Sequence, residues 1–106
     1  MREFITPIET LKELIEEGTV DCYDEHEQQS GMVISVVDGV ECPFEAKIIG
    51  EKVTVTTLVE DDEPMAVCEK NGKTYEFNID SLEFTEPYPN GYEWIEAYQY
   101  FKRHGW

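Results

Sequence analysis

The chain has 106 residues, with 24 Asp plus Glu against 8 Lys plus Arg, a formal charge of −16, and 41% hydrophobic residues. That apolar share rules out the sparse-hydrophobe, high-charge class that stays disordered, and the length suits one domain, residues 1–106, with carboxylates crowded on its surface. The sign of the charge excludes nucleic acid and anionic membrane surfaces as partners, because both are bound through Lys and Arg, and leaves metal ions, basic proteins or solubility alone.

Met1 to Pro7 lacks the apolar run of a signal peptide, and no later stretch approaches the 18 or so apolar residues of a membrane span. The expectation is a soluble, cytoplasmic monomer. Three cysteines, Cys22, Cys42 and Cys68, lie far apart in a chain without a leader and read as reduced thiols that pack as small hydrophobes.

In chain order, Thr6-Pro7-Ile8-Glu9 opens a helix, with Thr6 as cap, Pro7 in the first turn and Glu9 where a capping box wants an acid. Ile8, Leu11, Leu14 and Ile15 form its apolar stripe and Gly18 ends it. From Gly31 onward β-branched residues and turn signals replace the helical period. Met32 to Val37 is predicted as a strand, Asp38-Gly39 as a tight hairpin turn, and Val40 to Ile49 as a second strand in which Pro43 marks an edge or bulge. Gly50-Glu51 then turns into Lys52 to Glu60, where Val53, Val55, Thr57 and Val59 would share one face. Met65 to Glu69 follows, Asn71-Gly72 is the strongest hairpin signal, and Tyr75, Phe77 and Ile79 alternate with polar residues beyond it. Asn90-Gly91 with Glu93 starts a last helix, with Trp94, Tyr98 and Phe101 at core spacing, Lys102, Arg103 and His104 in the last turn, and Gly105 closing it. The expected class is α+β: a small antiparallel β-meander or SH3-like barrel of about five strands with an N-terminal and a C-terminal helix.

Three stretches outside the predicted helices concentrate carboxylates: Asp21 to Glu27, Asp38 to Glu41, and Glu60 to Glu63. Two carboxylates about 5 Å apart at an effective dielectric near 20 repel by roughly 3 kcal/mol, and a cation between them reverses the sign. Hard cations such as calcium take six to eight oxygens, which loops supply readily. None of these stretches fits the EF-hand pattern, since His26 and Gln28 stand where that loop needs acids after Asp24. If the hairpin at Asp38 lies beside the 21–27 loop, acids from the two would meet. Cys22 and His26 lack a third member for zinc binding or nucleophilic catalysis, so no enzyme is expected.

The run Cys22-Tyr23-Asp24-Glu25-His26-Glu27, then Gly31, Asp38, Pro43-Phe44-Glu45, Gly50, Val53 and Val55, with Ala66-Val67-Cys68 and the closing Glu93-Trp94-Ile95-Glu96-Ala97-Tyr98, resembles the bacterial CcbP-type calcium-binding proteins, a family of small acidic non-EF-hand proteins. The resemblance spans about Asp21 to Tyr98. It implies a β-rich domain that binds calcium through surface carboxylates on loops and so buffers or senses cytosolic calcium. Asp38 is the first ligand it implies; Asp24, Glu25 and Glu27 match the acidic loop, and Asp61 with Asp62 match a second, weaker acidic turn. Glu41 is added by proximity to Asp38. Val37 stands where relatives often carry another acid, which removes a possible ligand. The competing reading is an acidic interaction protein that captures a basic partner by polyanion mimicry, and a protein partner is compatible with either.

Overall fold

The computed structural model describes residues 4–104. The closing role expected of Gly105 and part of the N-terminal reading, Met1 to Glu3, lie outside the described residues. Three helices, α1 (Ile8–Gly18), α2 (Glu25–Gly39) and α3 (Tyr92–His104), pack on one another and on a sheet of β1 (Phe44–Ile48), β2 (Glu51–Val59), β3 (Met65–Lys70) and β4 (Lys73–Asn78), with one 3-10 turn at Ile79–Ser81. The sheet is an open antiparallel meander in the order β1-β2-β3-β4. The α+β class stands, while the expected fifth strand and barrel closure give way to four strands and an open sheet.

The missing strand is the largest correction. Met32 to Val37 lies inside α2, and Asp38-Gly39 is its C-terminal end instead of a hairpin. Four β-branched residues, Val33, Ile34, Val36 and Val37, each cost a few tenths of a kcal/mol in a helix, roughly 2 kcal/mol together. Burying Met32, Val33 and Val36 returns about 1.5–3 kcal/mol for each side chain, so packing overrides propensity. The helical spacing also permits a contact that a strand would not. A Cβ on Gly31 would come within 2.5 Å of the Gly18 carbonyl oxygen, so α1 and α2 cross at glycine with backbones nearly touching.

Other elements match their local signals with smaller shifts. Asn71 and Gly72 both have positive φ, 53° and 76°, as the tight β3–β4 turn requires. A bulge between Val55 and Thr57 changes the facing of β2, so Leu58 is buried with Val53 and Val55 while Thr57 is exposed. Ile79, expected to extend the last strand, is buried in the 3-10 turn. At α1 the N-cap is Pro7 without a side-chain bond. Thr6 instead gives its hydroxyl to Glu96 Oε1 at 2.7 Å and its N–H to the same oxygen at 3.1 Å, while Ile5 N–H reaches Glu96 Oε2 at 2.6 Å. These three bonds allow a carboxylate only 2% exposed to sit on the inner side of α3 beside Ile95, Ala97 and Tyr98.

Cys42, Cys68 and Cys22 are free thiols, and burial pushes the Cys42 and Cys68 pKa values up, which favours the protonated thiol. No helix among the described residues is long and apolar enough to cross a membrane.

Candidate functional site

The acids expected as ligands fall at three separate places. Asp24 is the N-cap of α2, and its Oδ1 accepts the Glu27 N–H at 2.8 Å; Glu27 Oε2 in turn accepts the Tyr23 N–H at 3.1 Å. With Glu25 they crowd the positive end of the helix dipole, where anions are stabilised and a cation is opposed. The local sequence explains these acids as helix starters.

Asp38 stands at the opposite end. Fourteen residues at about 1.5 Å rise separate it from Asp24, about 21 Å along α2, so the expected meeting of Asp38 with the 21–27 acids does not occur. Asp38 is exposed in the last turn of a helix that has no basic residue there. A carboxylate at the negative end of a helix dipole costs about 0.3–1 kcal/mol, and here no side chain of the last turn offsets it.

A close backbone approach fixes this end. Gly91, at φ 88°, could not carry a Cβ, which would lie 1.9 Å from the Gly39 carbonyl oxygen, and a Cβ on Gly39 would lie 2.3 Å from the Trp94 ring. The chain leaving α2 is then clamped to the segment before α3. Glu41 N–H donates to the Asn90 carbonyl at 2.9 Å, and Asn90 Nδ2 donates to Glu41 Oε2 at 2.8 Å. Asp38 and Glu41 therefore project from a braced corner, both exposed.

The third place is the β2–β3 turn. Glu60, Asp61 and Asp62 are exposed; Asp61 Oδ1 accepts the Asp62 N–H at 2.8 Å. Glu60 and Asp61 border a shallow cleft of about 300 Å³ against Ser30, Val33 and Ile34 of α2. Glu63 is engaged differently. Its Oε1 accepts from Lys102 Nζ and from Tyr98 Oη at 3.1 Å, and its Oε2 accepts from Asn78 Nδ2 at 2.5 Å. Chiefly through the Lys102 hydrogen bond, its carboxyl is held below the ordinary range despite some burial. Lys102 also donates to Asp80 Oδ2 at 2.7 Å; partial burial opposes its charge, but Asp80 and Glu63 outweigh that and raise its pKa. Glu63 and Asp80 thus already hold a cation, the ammonium of Lys102.

Among the described residues no three His, Cys, Asp or Glu side chains converge on one point to hold a metal ion. The Asp38–Glu41 corner and the β2–β3 turn offer exposed oxygen donors only. Oxygen donors with water access suit a hard cation such as calcium, whose flexible shell is completed by backbone oxygens and water, and do not suit zinc or copper. Sequence reasoning gave no bracing role to Gln29, Asn90, Glu63 or Glu96. Only Glu96 carried a local signal, an acid between Ile95 and Ala97 on an apolar helix face.

A small acidic α+β domain that spends one set of carboxylates on helix starts and ion pairs, and leaves another set free in water, belongs to the class of proteins suited to hard cations. The CcbP family model, described as calcium binding, matches residues 12–102, and the chain belongs to that calcium-binding family. Calcium is the ion this membership assigns. Two solved structures share the fold: the crystal structure of Anabaena CcbP, with a TM-score of 0.77 at 21% identity over 100% of this chain and 98% of that one, and a calcium binding protein in the calcium-binding form, with 0.72 at 22% identity over the same shares. No curated protein matches the chain.

Proposed function

We propose that the chain is a cytoplasmic, non-EF-hand calcium buffer or sensor whose tighter site is the Asp38–Glu41 corner and whose weaker site is the β2–β3 turn with Asp61 and Asp62. Asp24, Glu25 and Glu27 form the least favoured group, because the dipole of α2 repels a cation from that end. The observation that carries this reading is the position of Asp38 at the uncompensated negative end of α2. A divalent ion there removes the carboxylate–dipole conflict, finds oxygens from Asp38 and Glu41, and needs no chain rearrangement to bring a third acid from 21–27. Each ion also cancels two charges in a chain of formal charge −16, which lowers self-repulsion and stabilises the fold by mass action.

Titration calorimetry with calcium in a millimolar magnesium background tests the proposal. The expected result is saturable binding with a dissociation constant on the order of micromolar. Asp38→Asn is expected to weaken the tighter site by about tenfold or more, roughly 1.4 kcal/mol. An isotherm unchanged by Asp38→Asn rejects Asp38 as the ligand.

A further inference from the structure

The two edges of the sheet are finished differently. At the β1 edge Lys47 and Glu83 exchange backbone N–H to carbonyl bonds at 2.9 and 2.7 Å. At the β4 edge no strand or bridge lies beyond Lys73–Asn78 among the described residues, and Lys73 to Glu76 are exposed. The tight turn at Asn71-Gly72 makes Lys70 and Lys73 the first hydrogen-bonded pair of its hairpin, so Tyr75 and Phe77 also turn their backbone groups to β3, while Thr74, Glu76 and Asn78 turn theirs outward. An unpaired row of this kind is a template for another strand.

Charge and register say which strand. The four strands hold four Glu and four Lys, so this edge belongs to the part of a −16 chain that has no net charge with which to repel a second copy. Residues opposite one another in an antiparallel pair are of the same hydrogen-bonding kind, so β4 pairs with its own copy only about a two-fold axis through one residue. About Glu76, two acids meet at the axis. About Thr74 the overlap runs into the hairpin turn, and about Phe77 into the 3-10 turn. About Tyr75, residues 73–77 pair in full: Tyr75 meets Tyr75, Thr74 meets Glu76 and Lys73 meets Phe77. No like charges are then opposed, and the two Thr74–Glu76 pairs supply four backbone hydrogen bonds.

We infer that β4 is a self-association edge, on which two copies join antiparallel about Tyr75 into one eight-stranded sheet. The chain expected to be a monomer is then in equilibrium with its dimer, and the inference does not depend on where calcium binds. Tyr75, 44% exposed, stacks on Phe77 at 6.1 Å and with Ile48 and Val53 borders an open cleft of about 420 Å³. The same two rings of the second copy continue this row across the axis and cover it. A contact of this size makes a transient dimer whose population rises with concentration. The axis stands perpendicular to the sheet, so both helical layers lie on one side and their acids repel across the join, a repulsion that added salt screens.

Sedimentation equilibrium in EDTA, from micromolar to millimolar protein and at low and high salt, tests the inference. The wild type is expected to rise from 12.3 kDa toward twice that mass, and further at high salt. Thr74→Pro removes an outward N–H and leaves the bonds to β3 in place, so it is expected to melt as a folded protein and to associate about tenfold or more weakly. Cross-linking fixes the register. The axis sets the Cα atoms of Tyr75 in the two copies about 4.5 Å apart, within disulfide reach, so Tyr75→Cys treated with copper–phenanthroline as oxidant is expected to form a covalent dimer. Glu76→Cys is expected not to, with the wild type and its three native thiols as the blank. A mass that stays at 12.3 kDa at every concentration and salt, or a folded Thr74→Pro that associates like the wild type, overturns the inference. Cross-linking of Glu76→Cys without Tyr75→Cys overturns the register and the charge argument with it, and this pair decides alone if Thr74→Pro does not fold.

Discussion

The four strands and the rest of the chain divide the charge very unequally. The strands carry Glu45, Glu51, Glu69 and Glu76 against Lys47, Lys52, Lys70 and Lys73, so the sheet is neutral. The remainder holds twenty acids against four bases, and with them the whole formal charge of −16. Geometry accounts for the split. Side chains directly opposite on paired strands stand about 4.5–5.5 Å apart, so a sheet loaded with acids would repel itself at every register position. Helix surfaces and turns spread the same groups into water, where screening reaches within about 10 Å. Even in the sheet, the like pairs Lys47↔Lys52 and Lys70↔Lys73 sit at hairpin ends, and Lys70 reaches across to Glu51. The sheet is thus a scaffold without net formal charge, and the helices and turns make up an electrostatic shell, the part of the molecule on which calcium acts in the proposed function.

Damage to the scaffold should therefore be large and blind to calcium. Leu58→Ala, at a buried position on β2, is expected to cost about 2–5 kcal/mol in denaturant unfolding, with the same increment in EDTA and in calcium. An increment that vanishes on calcium addition would break the division between scaffold and shell. Changes in the shell should be smaller and of the opposite sign. Glu16→Gln and Glu17→Gln, exposed at the negative end of α1, which has no basic residue in its last turn, should each stabilise by about 0.3–1 kcal/mol at low salt and less at high salt. Melts across a salt series check this, and a stabilisation that does not respond to salt would assign the effect to packing instead of the shell.

Legibility in the sequence follows the same boundary. The strands from Glu51 to Asn78 and the helices at Ile8 and Tyr92 were marked by local period and turn residues such as Asn71-Gly72. Helix α2 was not, because Val33, Ile34, Val36 and Val37 imitate a strand and Asp38-Gly39 imitates a hairpin. What decides its form is remote in sequence: Gly18 against Gly31, and Gly91 with Trp94 against Gly39. The acids could be read as acids, but their grouping could not, since a helix places Asp24 and Asp38 at opposite ends where a loop would have joined them. The side chains that reach the β2–β3 turn and the chain after α2, Gln29 to Asp62 and Asn90 to Glu41, are polar residues in ordinary surroundings whose partners lie 33 and 49 positions away.

One measurement bears most directly on the claim that calcium acts on the shell and leaves the sheet untouched: a residue-by-residue map of backbone amide shifts as calcium is added to the EDTA-treated protein. The expected map has its largest changes at Asp38 to Glu41, smaller ones at Glu60 to Glu63, and near silence along β1 to β4. Shifts centred on the strands, or none at Asp38 under saturating calcium, would contradict it.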